Sequence, residues 1–429
     1  MLFPLYPEAL MLTSIPTQSW QVKASDPMAL THLLNLPEMM VTGMEYDAHL
    51  DYLTLFCDHA HAVAICPSCG TPSQQVHQYR QRRVRDLALC GYRCYLEFSA
   101  RRFKCQPCGR RFTEVLPWLA RGARLTQRYA SYVFTQCRAT TLQAVKEREQ
   151  LGYKTVEALY YRFARQRATT TETEAVRRLG IDEIALKKRH DQYVLVLSDL
   201  EARRVITVLS DRTKETLEAY LATWTQEARA RIEVVALDLW QPYHLAVDAL
   251  LPQALIVGDR FHVMKNLNDQ VTAARREIKR SLPEDQKQHL KGCRWVLVKN
   301  EADLSEAEQA KLAAVGQAVP ALAELHRLKE DFRTLFETAP SRECAAIELE
   351  QWIAQAEQTG LQRLAKFVAT LRNWWDVILN YFHDHITSGF VEGMNNKLKL
   401  VKRSGFGYRN FEHFRLRVLM ECGGMLPAH

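Results

Sequence analysis

The amino-acid sequence predicts a multidomain α+β protein. A cysteine-rich module and a helical unit precede an α/β domain, which is interrupted by a large all-α insertion. Two CxxC pairs lie in the N-terminal quarter, apolar residues alternate with a period of two from about residue 175, and a helical pattern runs from about Arg260 to Tyr381. A chain of 429 residues is too long for one hydrophobic core, so two to four domains are expected.

Composition and charge narrow the class of protein. A hydrophobic content of 47% and a charged content of 25% are those of an ordinary soluble protein, and no apolar stretch has the length of a membrane span. The apolar opening segment lacks a basic n-region and is broken by prolines, so we expect a cytoplasmic location and no membrane partner. The net charge of +8 is modest, but basic residues concentrate between Arg80 and Arg128. This concentration favours a nucleic-acid-binding face over the alternative of a solvated surface.

The cysteine pairs predict one structural zinc ion. Each CxxC is followed by glycine, and strand-like alternation between the pairs indicates a β-hairpin that returns the second pair to the first. The alternatives are reduced cysteines without metal, or disulfides, which a cytosolic location disfavours. The other seven cysteines are expected in the core. The candidate zinc ligands are Cys66, Cys69, Cys105 and Cys108.

A helix-turn-helix is predicted over residues 120–170. Thr126 is a suitable cap for the first helix, and Leu151-Gly152-Tyr153 supplies a tight turn before a basic, aromatic third helix. Any three-helix unit would give a similar pattern. The arginines expected to contact DNA from this unit and the zinc-binding module are Arg82, Arg83, Arg101, Arg102, Arg110, Arg111, Arg162 and Arg165.

The α/β part follows the order of an RNase H-like domain. Residues 193–199 and 205–209 read as a hairpin, and helix and strand then alternate through residues 213–257. Two aspartates end or interrupt strand-like runs here, whereas a glutamate lies in a helical segment near the C-terminus. Three carboxylates from distant points suit a site for two Mg²⁺ or Mn²⁺ ions that acts on phosphodiesters. A single carboxylate at the end of a strand is more often a helix cap or a surface residue than a catalytic group. The proposed ligands are Asp182, Asp238 and Glu392.

Several stretches resemble, in the same order, the ISL3 family of insertion-sequence transposases. They are GIDEIALKKRHDQYVLVLSDLEARRVITVL from Gly180, VVALDLWQPYHLAVDALLPQALIVGDRFHVMK from Val234 and VEGMNNKLKLVKRSGFGYRNFEHFRLRVL from Val391, together with the cysteine-rich module. The family consists of DDE transposases with an RNase H-like catalytic core. The resemblance thus implies that Asp182, Asp238 and Glu392 are catalytic and bind the metal ions. The expected domains are 1–56 (an extension with short strands), 57–115 (zinc-binding module), 120–170 (helix-turn-helix), 175–260 (first part of the RNase H-like core), 261–382 (helical insertion) and 383–429 (last part of the core).

The resemblance also implies partners and a reaction. Such an enzyme binds double-stranded DNA at the terminal inverted repeats of its mobile element, cleaves at the element boundary and joins the freed 3′-hydroxyl to target DNA. It acts at least as a homodimer on DNA and needs no nucleotide cofactor or covalent enzyme–DNA intermediate. Two alternatives stay open: a DNA-binding regulator on an inactive core, and a structure-selective nuclease that cuts without joining.

Further residues near the carboxylates have secondary roles. Asp259 and His262 form a D-x-x-H pair that we expect to be buried, hydrogen-bonded and to anchor the insertion, in preference to a direct catalytic or DNA role. Core packing is expected for Trp240, with base stacking as the alternative. Glu183 should point away from Asp182 along the strand. On the glutamate helix and just beyond it, DNA contact is favoured over a solvated basic helix end for Asn395, Asn396, Lys399, Lys402 and Arg403.

Overall fold

A computed structural model of the protein describes residues 20–23, 27–168, 173–187, 192–384, 389–405 and 407–424. The chain divides into two compact units, residues 1–163 and residues 164–429. Among the described residues, none of the helices combines the length and the apolar character that crossing a membrane requires.

The first unit is built on a six-stranded sheet with the order β1-β2-β3-β7-β6, in which β8 pairs with β7, and β4 and β5 form a separate small sheet. Strand β3 runs parallel to β7, and the other pairs in this larger sheet are antiparallel. The strands are β1 (Trp20–Lys23), β2 (Met39–Asp47), β3 (Tyr52–His59), β4 (Ala64–Ile65), β5 (Pro72–Ser73), β6 (Val76–Leu89), β7 (Tyr92–Lys104) and β8 (Arg111–Thr113).

The long hairpin of β6 and β7 is the main feature of this sheet. Cys90 and Gly91 connect the strands, both with positive φ (51° and 87°), as the twist of a two-residue hairpin requires. Val84, Leu96 and Phe98 face the core, where the Phe98 ring meets Trp118 edge-on with 5.3 Å between centroids. The sequence-predicted hairpin between the two CxxC pairs is therefore present.

Four helices complete the N-terminal part of the chain: α1 (Pro27–Leu34), α2 (Gln127–Ala139), α3 (Leu142–Glu149) and α4 (Tyr153–Ala168). Thr126 caps α2 by accepting a hydrogen bond from the backbone N–H of Tyr129, which confirms the predicted cap. Helix α3 ends at Gln150 in the left-handed conformation, with φ of 51°, and α4 begins three residues later. Arg85 of β6 reaches the buried Glu149 at the end of α3, and this ion pair joins the sheet to the helices.

The second unit contains a five-stranded sheet with the order β11-β10-β9-β12-β13. The first three strands in this order are antiparallel, whereas β12 pairs in parallel with both β9 and β13. The predicted hairpin over residues 193–209 is thus present. The strands are β9 (Arg178–Lys187), β10 (Gln192–Asp199), β11 (Arg204–Leu209), β12 (Val234–Leu237) and β13 (Leu255–Gly258). The helices among them are α5 (Lys214–Ala222), α6 (Gln226–Ala230) and α7 (Gln241–Leu250).

A helical region follows β13, as the sequence predicts. Its core includes an aromatic cluster in which the Phe332 ring packs against Trp352 and Phe367, with centroids 4.9 and 5.2 Å away. Its helices are α8 (Arg260–Ser281), α9 (Glu284–His289), α10 (Arg294–Val298), a 3-10 turn (Glu301–Asp303), α11 (Glu306–Ala318), α12 (Pro320–Thr338), α13 (Arg342–Gln358), α14 (Gln362–Asn373), α15 (Trp375–Leu379) and α16 (Tyr381–Asp384).

Two final helices return the chain to the five-stranded sheet: α17 (Gly389–Ser404) and α18 (Phe411–Cys422). Helix α17 packs against β9, and α18 packs against α17 and the edge strand β11. The Lys402 ammonium donates a hydrogen bond of 2.7 Å to the carbonyl of Ala185 in β9, and Arg415 Nε lies 3.4 Å from Thr207 Oγ1 of β11. These contacts fix α17 on β9, the strand that carries Asp182, and α18 on β11.

Candidate active site and zinc centre

Three aspartates form a row across the parallel half of the five-stranded sheet. Asp182 lies within β9, Asp238 follows β12, and Asp259 follows β13. The register pairs Gly180 with Ala236, so Asp182 and Asp238, each two residues further on, lie side by side. It also pairs Leu237 with Gly258, so Asp238 and Asp259, each one residue further on, lie side by side as well. Their side chains therefore gather at one edge of the sheet.

Asp182, Asp238 and His262 form the cluster at this edge. One ligand atom from each of the three side chains lies within 4.8 Å of the other two. Asp182 is buried at 5% exposure, and Asp238 is partly buried. Burial first, and then the charge of Asp238, raise the pKa of Asp182 to about 6. Burial also raises the pKa of Asp238. Two carboxylates in such surroundings fit a divalent cation, because its charge offsets both the burial and their mutual repulsion.

His262 is held between two carboxylates. Its Nδ1 lies 2.5 Å from Asp238 Oδ1 and 3.0 Å from Asp259 Oδ2. Burial lowers the pKa of His262, but hydrogen bonds and charge from both aspartates outweigh burial and raise it to about 10. Asp259 also caps α8 by accepting a hydrogen bond of 2.9 Å from the N–H of Phe261. The Asp259–His262 hydrogen bond expected from the sequence is present. The imidazole, however, also contacts Asp238 and is only partly buried.

Helix α17 contributes to the same cluster. The side-chain amide of Asn395 donates a hydrogen bond to Asp182 Oδ2. The backbone of Glu392 lies one helical turn before Asn395, while the Glu392 side chain is outside the described residues. Two residues expected to contact DNA also have partners within the protein, since the Asn395 amide donates to Asp182 and the Lys402 ammonium donates to the Ala185 carbonyl. Asn396, Lys399 and Arg403 are exposed.

Glu183 takes part in a neighbouring polar group. Its carboxylate pairs with Arg212 at 3.0 Å and accepts a hydrogen bond of 2.5 Å from the Tyr243 hydroxyl. Its negative charge is among the causes that raise the pKa of Asp238. Glu183 therefore lies near the cluster even though its carboxylate is engaged by other partners.

An open cavity of about 450 Å³ adjoins Asp238 and His262. Trp240 lines it and is 50% exposed, so the expectation of core packing for this tryptophan was wrong. The backbone leaves β12 at Asp238 and enters α7 at Gln241, which places Trp240 at the cap position, outside the apolar face of the helix. The residues that line the cavity are Glu183, Arg212, Asp238, Leu239, Trp240, His262, Lys265, Asn266, Asp269 and Gln270.

The sequence did not predict the contact of His262 with Asp238, and it placed the Asn395 amide beside the metal site without indicating Asp182 as its partner. One signal was available, since Asp259 follows its strand just as Asp238 follows the preceding one. Parallel strands end at the same edge of a sheet, so the segment after Asp259 was bound to lie beside Asp238. For Asn395 the signal was its three-residue spacing from Glu392, which puts both residues on one face of the helix.

The four predicted zinc ligands meet at the base of the β6–β7 hairpin. The sulfur atoms of Cys66 and Cys108 lie 3.7 Å apart, and those of Cys69 and Cys105 lie 3.5 Å apart. A tetrahedron with Zn–S bonds of ~2.3 Å has edges of ~3.8 Å, so these separations fit a zinc ion. Hydrogen bonds with Thr71 lower the pKa of Cys69 to about 6, which favours the thiolate that zinc binds.

The glycines and the remaining cysteines complete this picture. Gly70 and Gly109 have φ of 71° and 68°, a conformation that fits the turn after each CxxC. Five of the remaining seven cysteines are buried, as expected, and Cys344 is partly so. Cys90 is the exception, because it occupies the exposed hairpin turn.

Not all of the predicted DNA-binding arginines are free to reach DNA. Arg101 is buried at 8% exposure, pairs with Glu114 at 2.7 Å and donates to the carbonyl of His61, so its assignment as a DNA contact was wrong. Arg82 donates to the carbonyl of Ala123, and Arg83 lies over the rings of Tyr52 and Tyr95. The predicted DNA-binding arginines with exposed side chains are Arg83, Arg102, Arg110, Arg111, Arg162 and Arg165.

Comparison with known proteins identifies the family. A family model described as a transposase of the ISL3 group matches residues 179–418. A zinc-finger model of transposases IS204/IS1001/IS1096/IS1165 matches residues 62–108, and the helix-turn-helix model of the ISL3 family matches residues 114–164.

Curated relatives agree with these matches. The transposase for insertion sequence element IS1001 of Bordetella parapertussis is 33% identical over 372 residues, which cover 85% of this chain and 90% of the relative. The transposase for element IS1557 of Mycobacterium tuberculosis is 27% identical over 394 residues, with 85% and 88% covered. With its zinc-ribbon and helix-turn-helix domains, the chain belongs to the ISL3 family of DNA-binding transposases.

Proposed function

We propose that this transposase binds the terminal inverted repeats of an insertion sequence and performs metal-dependent strand cleavage and strand transfer as a DDE enzyme. The observation that carries the proposal is the pairing of Asp182 and Asp238 on neighbouring parallel strands, within 4.8 Å of each other and of His262. The position of Glu392, one turn before the residue that touches Asp182, supports it as the third carboxylate.

The proposed catalytic domain is RNase H-like. Three antiparallel strands are followed by two parallel ones, and helices α8 to α16 separate β13 from α17. On this proposal, residues 175–260 and 383–429 form the core and residues 261–382 are an insertion. The insertion begins with the helix that Asp259 caps, and His262 on its first turn contacts Asp238. The first turn of the insertion would therefore help to shape the site.

Asp182, Asp238 and Glu392 would hold two divalent cations, Mg²⁺ or Mn²⁺. When bound, these ions would polarise the scissile phosphodiester and acidify a water molecule. The chain would supply the orientation: the Asn395 amide fixes one oxygen of Asp182, and His262, which is itself held by Asp259, contacts Asp238. His262, whose pKa is raised, would also offset part of the negative charge of the cluster.

The N-terminal part would supply binding to DNA. Four cysteines would hold one zinc ion and so fix the ends of the β6–β7 hairpin, and exposed arginines there and on α4 would contact phosphates or bases. Arg162 and Arg165 are three residues apart on α4 and both exposed, so they share an accessible face.

Pairing two element ends requires two active sites held together, so we propose at least a homodimer on DNA. Strand transfer exchanges one phosphodiester for another, and the reaction therefore needs no nucleotide cofactor. Both the element ends and the target would be double-stranded DNA.

The test is an in vitro reaction of the full-length protein with Mg²⁺ and labelled DNA that carries the element ends. Wild-type protein should cleave at the element boundary and join the freed end to target DNA. Asp182→Asn and Glu392→Gln should bind the same DNA without cleaving it, whereas the matched control Asp248→Asn, at an exposed position on α7, should remain active.

Other outcomes identify the alternatives. Binding without cleavage by any of the proteins would point to a DNA-binding regulator. Cleavage of branched DNA without joining would point to a structure-selective nuclease. Equal cleavage by wild type and Glu392→Gln would show that another residue provides the third carboxylate.

A further inference from the structure

Trp240 is a large aromatic side chain that the fold presents to solvent beside the carboxylate cluster. Its exposure of 50% contrasts with that of Trp118, Trp224, Trp352 and Trp374, all of which are at most 8% exposed. A half-exposed tryptophan forgoes much of the stabilisation that burial of the indole provides. Its position next to a functional site therefore calls for an explanation by binding.

The backbone around Trp240 is fixed. Its N–H donates to the carbonyl of Asp238 at 2.6 Å, and its own carbonyl accepts from the N–H groups of Tyr243 and His244 at 3.1 and 3.3 Å. Pro242 further restricts the first turn of α7. The indole therefore projects from a rigid support two residues from a proposed metal ligand. A ligand that binds to the indole would cause little loss of backbone conformational entropy.

The face of the indole is available to a ligand. Among the ring stacking and cation–π contacts found in the described residues, none involves Trp240. Trp295 provides a contrast within the chain, because it is 65% exposed but the guanidinium of Arg294 lies 4.8 Å from its ring centroid.

Cationic side chains line the same cavity as Trp240. Arg212 and Lys265 are both exposed there, and Lys265 has no ion pair among the described residues. An aromatic face next to cations is the combination that proteins use to hold single-stranded nucleic acid, with the ring against a base and the cations against phosphates.

We propose that Trp240 stacks on a nucleobase that leaves the DNA duplex next to the scissile phosphate, which makes Trp240 a positioning residue for strand cleavage. The inference rests on the proposed function, because it takes the carboxylate cluster as the cleavage site. A base held on Trp240 fixes the backbone of its own nucleotide, and hence the neighbouring phosphate, against Asp182 and Asp238. Enzymes that modify a base hold the extruded base between aromatic or apolar side chains, and the same kind of contact would serve here to fix the strand.

Photochemical cross-linking tests the contact directly and does not depend on cleavage. Full-length protein is bound, without divalent metal, to an element-end duplex in which 5-iodouracil replaces one base at a time across the boundary. After irradiation, mass spectrometry identifies the linked residue. We expect a cross-link to Trp240 at one position within a few nucleotides of the boundary. It should disappear in Trp240→Ala and persist in the matched control Trp295→Ala. Cross-links only to other residues, at every position scanned, would overturn the inference.

Cleavage kinetics separate a positioning role from a structural one. Trp240→Ala should cleave about 10- to 100-fold more slowly than wild type, with unchanged binding to the element end. Trp240→Phe, which keeps an aromatic face, should recover most of this loss. An abasic site at the cross-linked position should slow the wild type to the rate of Trp240→Ala and leave Trp240→Ala itself unchanged. Independent, multiplying effects of the abasic site and the substitution would contradict stacking.

The outcomes for this inference and for the proposed function are distinct. If Asp182→Asn cleaves as wild type does, the proposed function fails, while the cross-link can still be scored. If wild type cleaves at the boundary but never cross-links to Trp240, the proposed function stands and the stacking inference fails.

Discussion

The cysteine cluster and the carboxylate cluster are both groups of candidate metal ligands, but they are assembled in opposite ways. The four cysteines come from two short CxxC turns joined by one hairpin, and their sulfur atoms all lie close to one another. The carboxylate cluster draws on a strand interior, a strand end, the first turn of α8 and the middle of α17. Its members have partners besides each other, and one side opens into a cavity.

The two clusters show how the separation of ligands along the sequence relates to the role of a metal site. A closed tetrahedral site can be built from two short turns, and its effect is to stabilise the hairpin that joins them. A catalytic site must leave room for substrate, so the proposed ligands Asp182 and Asp238 would need the support that they receive from neighbours such as Asn395 and His262. Substitutions at the two sites should therefore fail in different ways, and four predictions test that contrast.

The largest effect is expected at Asp238. Asp238→Asn keeps the size of the side chain but removes the charge that a metal ion needs, so cleavage at the element boundary should fall by at least about 10³-fold. Binding to the element end should remain within about twofold of wild type, because the zinc and helix-turn-helix parts are untouched. A matched Glu183→Gln variant should lose much less cleavage, since Glu183 pairs with Arg212 and Tyr243. Gel-shift and cleavage assays on one substrate measure binding and cleavage. Equal losses of cleavage in Asp238→Asn and Glu183→Gln would contradict the distinction between a metal ligand and a neighbouring carboxylate.

The zinc site should fail through folding and DNA binding. Cys105→Ser removes a buried ligand, and we expect loss of the bound zinc together with about a 100-fold or greater loss of DNA affinity. Metal content by mass spectrometry and binding by gel shift provide the test. Cys344→Ser, far along the chain and outside any cysteine cluster found in the described residues, is the control and should retain both. Full zinc content in Cys105→Ser would refute the four-cysteine assignment.

An intermediate effect is expected at His262. Because its imidazole holds Asp238 without being one of the proposed ligands, His262→Ala should reduce cleavage by about 10- to 100-fold. Raising the Mg²⁺ or Mn²⁺ concentration should recover part of this loss, since the substitution weakens the support of a ligand. The metal-concentration dependence of the cleavage rate measures this. A loss that no metal concentration relieves would give His262 a more direct part in the reaction.

The smallest effect should separate arginines that look alike in the sequence. Arg165→Gln on α4 should weaken DNA binding a few-fold and reduce the slope of log affinity against log salt by about one. Arg101→Gln should leave the salt slope unchanged, and it should lower the melting temperature because the buried Glu114 loses its partner. Salt titrations and thermal unfolding give the two readouts, and a changed slope for Arg101→Gln would return that residue to the DNA-binding surface.

The two clusters also differ in how much the sequence could predict. The cysteine spacing, the following glycines and the strand-like alternation between the pairs were sufficient to predict the hairpin and the meeting of the four cysteines. The order of strands and helices in the second unit was also readable from periodicity. The alignment of Asp182 with the other two aspartates was not, because Asp182 lies inside its strand and the register of β9 against β12 is not specified by the sequence pattern.

Arg101 shows why a run of charge does not reveal which residues reach DNA. Along β7 the buried positions are Cys94, Leu96 and Phe98, and then Arg101 and Phe103. The alternation shifts by one residue between Phe98 and Arg101, so Arg101 turns inward with Phe103 while Arg102 stays outside. A residue count from the start of the strand would have exchanged the two arginines.

Because Asn395 contacts Asp182, the carboxylate cluster cannot be complete until the C-terminal part of the chain has been synthesised. At translation rates of roughly 5–20 residues per second, the stretch from Asp238 to Asn395 takes roughly 10 to 30 s to emerge. During this interval the zinc-binding module and the helix-turn-helix have already been synthesised, whereas the helix that carries Glu392 has not been completed. On the proposed function, a nascent chain would therefore carry its DNA-binding part well before it carries the third carboxylate. On the proposed function, a nonsense codon before residue 389 would yield a chain with the DNA-binding part and without Glu392, and such a chain would compete with the full-length enzyme for the same element ends.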